Sequence, residues 1–205
     1  ASNVAIGSLA LDANTTADNN TAIGYGSLGA NTTGARNIAI GNVALSANTT
    51  ADGNVAIGDN ALQVNTTGAD NVGIGKFALN ANTTGTQNTA VGSIAGDAIT
   101  TGSYCTAIGY GSLTTNTTGT SNTAIGLEAL KLLTEGHRNT AIGVNTGNAI
   151  TTGDDNVLIG RDAGLSSSPS GEITTANGQV CIGDNAVTNA FIKVAWTVTS
   201  DERDK

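Results

Sequence analysis

Two cysteines, one histidine and a pair of adjacent aspartates are the residues here whose types suit metal, redox or acid–base chemistry. Cys105 and Cys181 stand far apart. If the chain stacks regular coils at ~4.8 Å, roughly four and a half coils separate them, more than disulfide reach. They read as buried free thiols, which suits a reducing compartment. His137 is the sole histidine. It has no second His or Cys at ligand spacing, so a metal would require three copies meeting at a symmetry axis. An exposed loop histidine is the expectation. Asp154–Asp155 offers carboxylates to a cation, yet the G-G-x-G-x-D signature of calcium rolls is absent. "NTT" matches the N-x-[ST] acceptor pattern at Asn14, Asn31, Asn48, Asn65, Asn82 and Asn116. That match is expected to be empty. No glycine-rich phosphate loop follows a strand and opens a helix, and no paired-carboxylate glycosidase site can be singled out. The sequence predicts no enzyme acting on an external substrate, no cofactor and no metal.

The elements that would position these residues come from one repeated phrase. The glycine closing each "AIG"-like triplet falls at Gly7, Gly24, Gly41, Gly58, Gly75, Gly92, Gly109, Gly126, Gly143 and Gly160, always seventeen residues apart. The next equivalent, Gly183, follows after twenty-three. The consensus is N-[T/V]-A-I-G-x-x-A-L-x-x-N-T-T-G-x-x. Such spacing means stacked coils, each touching its neighbours. Glycine and β-branched residues recur too often for helix, and no 3.6-residue apolar period survives. Short strands separated by glycine turns fit. Within N-T-A-I-G, Thr21 and Ile23 face one side and Ala22 the other.

Two inward ladders are expected. One is the triplet isoleucine (Ile6, Ile23, Ile40, Ile57, Ile74, Val91, Ile108, Ile125, Ile142, Ile159). The other is the leucine five positions on (Leu11, Leu28, Leu45, Leu62, Leu79, Leu113, Leu130). In coils six and nine the leucine becomes Gly96 and Gly147, and the Asn of "NTT" becomes Ile99 and Ile150. A lost aliphatic is matched by one gained three residues on, so these positions should be spatial neighbours. Coil ten breaks the pattern, with Gly164 followed by Ser167, and leads into "LSSSPSGEITTANG" (165–178), read as a surface loop. The first-position asparagines (Asn3, Asn20, Asn37 and equivalents to Asn156) are expected to stack as a structural amide ladder. The threonine rows beginning at Thr15 and Thr32 are similar to ice-binding faces of flat solenoids, but the paired row is broken at Glu135.

Composition narrows the class. The chain has 205 residues with 28 Gly, one Pro, 3% aromatic and 12% charged residues, and a net charge of −8. The acidic balance opposes nucleic acid and anionic membranes as partners. No run of eighteen apolar residues exists to insert in a membrane. Beginning inside a repeat without Met, the sequence reads as a fragment. Few large aliphatics per coil suggest a core shared between chains, a side-by-side dimer or trimer.

The repeats, over residues 3–164, resemble the head of trimeric autotransporter adhesins, whose units carry an "N-x-x-A-I-G-x-x-A" phrase. That resemblance implies a left-handed parallel β-roll with three chains around one axis. Their repeat is shorter than seventeen, so the turns differ. The same phrase with "NTTG" is similar to phage tail-fibre proteins. The terminal "AFIKVAWTVTSDERDK" (190–205) resembles the junction where tail fibres, tailspikes and endosialidases meet a C-terminal intramolecular chaperone that drives trimerisation and then cuts itself off. The resemblance implies Ser200 as cleavage nucleophile and Lys205 as its base, with the cut on the N-terminal side of Ser200. A lysine of depressed pKa can take a serine proton. Asp204 stands where that family often has a hydrophobic residue. Without the chaperone body this chain is not expected to cut itself.

The expectation is therefore all-β: a homotrimeric, left-handed parallel β-roll (solenoid) of 17-residue coils. Residues 1–178 form the shaft with its insertion at 165–178. Residues 179–199 form the last coil and a closing strand anchored by Phe191 and Trp196, and 200–205 begin the removed chaperone. The function expected is a virion tail-fibre shaft or tip that adsorbs to a host cell-surface receptor, glycan or protein. The alternatives are a bacterial adhesin head and a monomeric ice-binding solenoid, which would show thermal hysteresis.

Overall fold

The computed structural model describes residues 2–188. Among these residues eleven strands of three residues each, β1 (Val4–Ile6), β2 (Thr21–Ile23) and so on to β9 (Thr140–Ile142), β10 (Val157–Ile159) and β11 (Val180–Ile182), stack in sequence order as one parallel sheet. The register never slips. Ala22 opposes Ala39, which opposes Ala56, and Leu158 opposes Cys181 across the longer coil. The chain is a parallel β-solenoid, and no helix occurs among the described residues.

Most backbone hydrogen bonds run between coils. The N–H of Thr21 donates to Asn37 O at 2.9 Å, and that of Gly24 donates to Ile6 O at 2.8 Å. These bonds join residues about seventeen positions apart and lie along the stack. The glycine ending the triplet is obligatory for two reasons. Gly58 has φ +136°, and a Cβ there would stand 2.6 Å from the carbonyl oxygen of Gly75 in the next coil. Only glycine takes that conformation and that approach without strain.

The strands face the opposite way from the expectation. The central alanine is inward: Ala22, Ala39, Ala56, Ala90, Ala107, Ala124 and Ala141 are fully buried. The isoleucine ladder, Ile6 to Ile159, lies outside with the residue two before it, half-buried or exposed. The reason is width. At Gly73, which takes the alanine position in coil five, a Cβ would already touch Leu62 Cγ at 3.3 Å and Ala78 O at 3.1 Å. A methyl fills the space behind the strand, and an isoleucine would not fit.

The expected leucine ladder is inward, with Leu28, Leu45, Leu62, Leu79, Leu113 and Leu130 fully buried. Each holds a left-handed backbone, φ 50–52°. That costs an L-residue on the order of 1–2 kcal/mol. The turn is retained because it aims the N–H at the next coil; Leu28 N donates to Ala44 O at 3.0 Å. Glycine relieves the strain in coils six and nine, and the expected exchange is there. A Cβ on Gly96 would lie 3.0 Å from Ile99 Cδ1, and one on Gly147 would lie 3.4 Å from Ile150 Cδ1.

Coil ten obeys the same rule, correcting the exception expected at Ser167. Its "ITT" is displaced by the six extra residues to Ile173-Thr174-Thr175, and Ile173 is buried. Thr151 N donates to Thr174 O at 2.8 Å, the ordinary rung. A Cβ on Gly164 would meet Ile173 Cδ1 at 3.6 Å and would clash with Leu158 Cδ2. Leu158, standing where other coils carry alanine, takes the volume that Gly147 and Gly164 leave. The insertion is thus confined to the segment between Gly164 and Ile173, and 173–178 belong to the coil.

Two amide ladders fill the rest of the interior. Asn37 N donates to Asn20 Oδ1 at 2.9 Å, Asn54 N to Asn37 Oδ1 at 2.9 Å, and so along the stack. Within a coil, Asn20 Nδ2 and Asn31 Nδ2 converge on Gly34 O, each at 2.9 Å. These side chains are buried and bonded, so they cross-brace the coil from inside. Each chain therefore closes its own core with alanine, leucine and asparagine, and sharing between chains is not what fills it.

Candidate functional site: the outer face of the sheet

The outward positions of the eleven strands make two columns. One holds Val4, Thr21, Ile38, Val55, Val72, Thr89, Thr106, Thr123, Thr140, Val157 and Val180. The other holds isoleucine throughout except Val91. No charged residue stands in either column, although the chain carries a net charge of −8. Ile38 and Ile108 are each 37% exposed, Ile142 40% and Ile159 41%. Beside the isoleucines, the residue after the turn glycine adds exposed Tyr25, Tyr110, Leu127 and Val144, in a row that also carries Asp59, Lys76, Arg161 and Asp184. The two columns make a contiguous uncharged face, a candidate interaction surface. It is assembled from the residues that alternation in "TAI" placed together; sequence reasoning chose the wrong side because it sent the larger pair inward.

The threonines of this face differ from the other threonines. In "NTT" the first hydroxyl is committed: Thr32 Oγ1 donates to Thr49 O at 3.0 Å, and Thr83 Oγ1 to Thr100 O at 3.1 Å. That row is structural and half-buried from Thr32 to Thr151, with the second threonine of each pair outside it and exposed. On the sheet, the Oγ1 atoms of Thr21, Thr89, Thr106, Thr123 and Thr140 have no hydrogen-bond partner among the described residues.

The other sequence-selected residues are dispersed. Ser200, Lys205, Phe191 and Trp196 lie outside the described residues. Cys105 and Cys181 are both free and buried, as expected. Burial pushes the Cys105 thiol above its usual range. At Cys181 burial also acts upward, but hydrogen bonding from the Ser170 and Ser168 hydroxyls outweighs it and leaves the thiol lowered. His137 is half-buried rather than an exposed loop residue. Its Nδ1 accepts from Thr120 N at 3.0 Å, while its backbone N–H donates to Asp154 Oδ1 at 2.6 Å. It is one rung of a ladder in which a side chain accepts the N–H of the preceding coil, as Asp52 does for Ala35 at 2.7 Å.

The Asp154–Asp155 pair is engaged as well. Asp155 grips Arg138 through two bonds, Nε to Oδ1 at 2.6 Å and NH2 to Oδ2 at 2.9 Å. This hydrogen bond holds the Asp155 carboxyl below the usual range. Among the described residues no group of three His, Cys, Asp or Glu side chains is placed to hold a metal ion, and no helix is long and apolar enough to cross a membrane. The "NTT" asparagines from Asn31 to Asn116 are fully buried, so their amides are inaccessible as acceptors in the fold.

No protein-family model, curated protein or solved structure matches the chain. The two columns of the outer face carry aliphatic side chains and threonine hydroxyls. They offer a regular apolar ladder that water covers poorly.

Proposed function

We propose that this chain is a segment of a bacteriophage tail fibre, a rigid homotrimeric shaft or tip that adsorbs to the host cell surface. The observation that carries the reading is the uncharged outer face. A ladder repeating every ~4.8 Å is matched best by another ladder of the same repeat, and this chain supplies one. No acidic residue stands in the two columns, and in the row beside them Asp59 and Asp184 are accompanied by Lys76 and Arg161. Covering each half-exposed aliphatic is worth on the order of 1 kcal/mol. Association costs roughly 4–15 kcal/mol. Seventeen aliphatics in the two columns are enough to outweigh that cost. Three copies and the left hand of the roll rest on the resemblance to the adhesin heads, and the phage assignment rests on "WTVTSDERDK". In the parent protein the same resemblance gives Ser200 and Lys205 the single self-cleavage. Three copies of one receptor surface would raise avidity.

Light scattering behind a sizing column tests the assembly. A particle of about 61 kDa, three times the 20.2 kDa chain, is expected, and Ile57→Lys should reduce it to the single chain. Labelled trimer should bind bacterial cells; binding to animal-cell surface proteins instead would favour the adhesin head. A wild-type mass of about 20 kDa would remove the reading and turn attention to ice binding, for which the exposed second threonines of "NTT" are the candidate surface.

A further inference from the structure

The two columns of the outer face carry different information. The isoleucine column is the same in every coil but one, so sliding one copy along another by a coil changes almost nothing there. The neighbouring column reads V-T-I-V-V-T-T-T-T-V-V from β1 to β11. Its four consecutive threonines, Thr89, Thr106, Thr123 and Thr140, form a hydroxyl belt within an otherwise apolar face, with Thr21 as an outlier. Their Oγ1 atoms are unpartnered among the described residues, unlike the "NTT" hydroxyls bound to the next coil. Fold stability does not explain the belt, because valine or isoleucine occupies the same backbone position in the other coils.

We infer that the belt sets the axial register between copies of this chain, an inference that rests on the proposed homotrimer. Cyclic symmetry places the same residue of every copy at the same height. In register, each threonine faces threonines, and hydroxyls that both donate and accept can satisfy one another or share water. A slip of one coil creates four mixed rungs: Val4 against Thr21, Thr21 against Ile38, Val72 against Thr89 and Thr140 against Val157. At each, a hydroxyl is covered by an aliphatic and loses its water without a partner, which is penalised more than the missing bond itself. A single polar position selects register in helical assemblies by the same logic. Here it operates on a surface whose ~4.8 Å repeat would otherwise allow many near-equivalent alignments.

The test moves the belt without changing composition. A full-length chain carrying Val55→Thr, Val72→Thr, Thr123→Val and Thr140→Val has its belt two coils earlier. It is co-expressed with wild type, the two chains bearing different affinity tags, beside a control of two differently tagged wild-type chains. The control should mix statistically. The shifted chain should assemble with itself to the wild-type mass, while mixed oligomers fall at least about tenfold below the statistical fraction. Statistical mixing would overturn the register role and leave the trimer intact. A shifted chain that keeps its β-sheet circular dichroism but no longer assembles with itself would also overturn it, since any matched position should serve. Single-chain masses for wild type and variant alike would instead remove the homotrimer on which the inference rests.

Discussion

Rebuilding the consensus in coil six tests how the interior is filled. Gly96 and Ile99 are an exchanged pair, and Asn82 Oδ1 is buried without a partner because the next coil offers Ile99 where an asparagine usually stands. Ile99→Asn alone removes a fully buried aliphatic beside a residue with no side chain. That costs about 2–5 kcal/mol, offset by about 1 kcal/mol for an amide bond to Asn82. Gly96→Leu alone puts a Cβ 3.0 Å from Ile99 Cδ1 and 3.2 Å from Leu79 Cδ2 at φ +57°. Overpacking costs about 1–3 kcal/mol, and the left-handed backbone adds about 1 kcal/mol. Together they restore the leucine–asparagine pair of other coils. The double variant should fall within about 1 kcal/mol of wild type, a coupling of at least about 2 kcal/mol. Urea unfolding followed by circular dichroism across the full cycle measures it. Additivity of the single effects within about 0.5 kcal/mol would refute the claim that the two positions share one volume.

Gly58→Ala should destabilise by more than about 2 kcal/mol, since both the φ and the approach to Gly75 exclude a Cβ; the loss should show as faster amide exchange in coils four and five. Asp155, held low by Arg138, should titrate by NMR below the ordinary aspartate range and return to it in Arg138→Gln. Because its folded value is depressed, the stabilisation it contributes is present above the unfolded value and fades as pH falls through the folded one. A thiol reagent at mildly alkaline pH should label Cys181 before Cys105, because only the Cys105 thiol is raised. Labelling of Cys105 at the same rate in folded protein would contradict its placement.

Much of this fold was legible in the sequence, and the limits have physical causes. The unbroken spacing of the triplet glycines gave the coil and its register, because a stack admits no insertion without a bulge. The exchange of Gly96 with Ile99 gave a true spatial contact, because volume is conserved in a filled interior. The facing of the strand was not legible. Period-two alternation says that Thr21 and Ile23 share a side, but not which side; that depends on how near Leu62 and its equivalents come to the strand, a distance that no spacing encodes. Coil ten hides its equivalent aliphatic from a fixed period, because Ile173 stands six residues beyond the position that the spacing assigns. The outer face followed from the same error, since its residues had been assigned to the core.

The direction of the inter-coil bonds has a mechanical consequence. Covalent links run around the stack while hydrogen bonds run along it, so a chain pulled by its ends in isolation should peel coil by coil rather than stretch. Each seventeen-residue coil released would add about 53 Å of chain, from ~3.4 Å per extended residue less one ~4.8 Å layer. The coil between Gly160 and Gly183 holds twenty-three residues and would release about 73 Å. A force–extension trace would then carry one long step among equal ones, a built-in mark of which end of the rod is giving way.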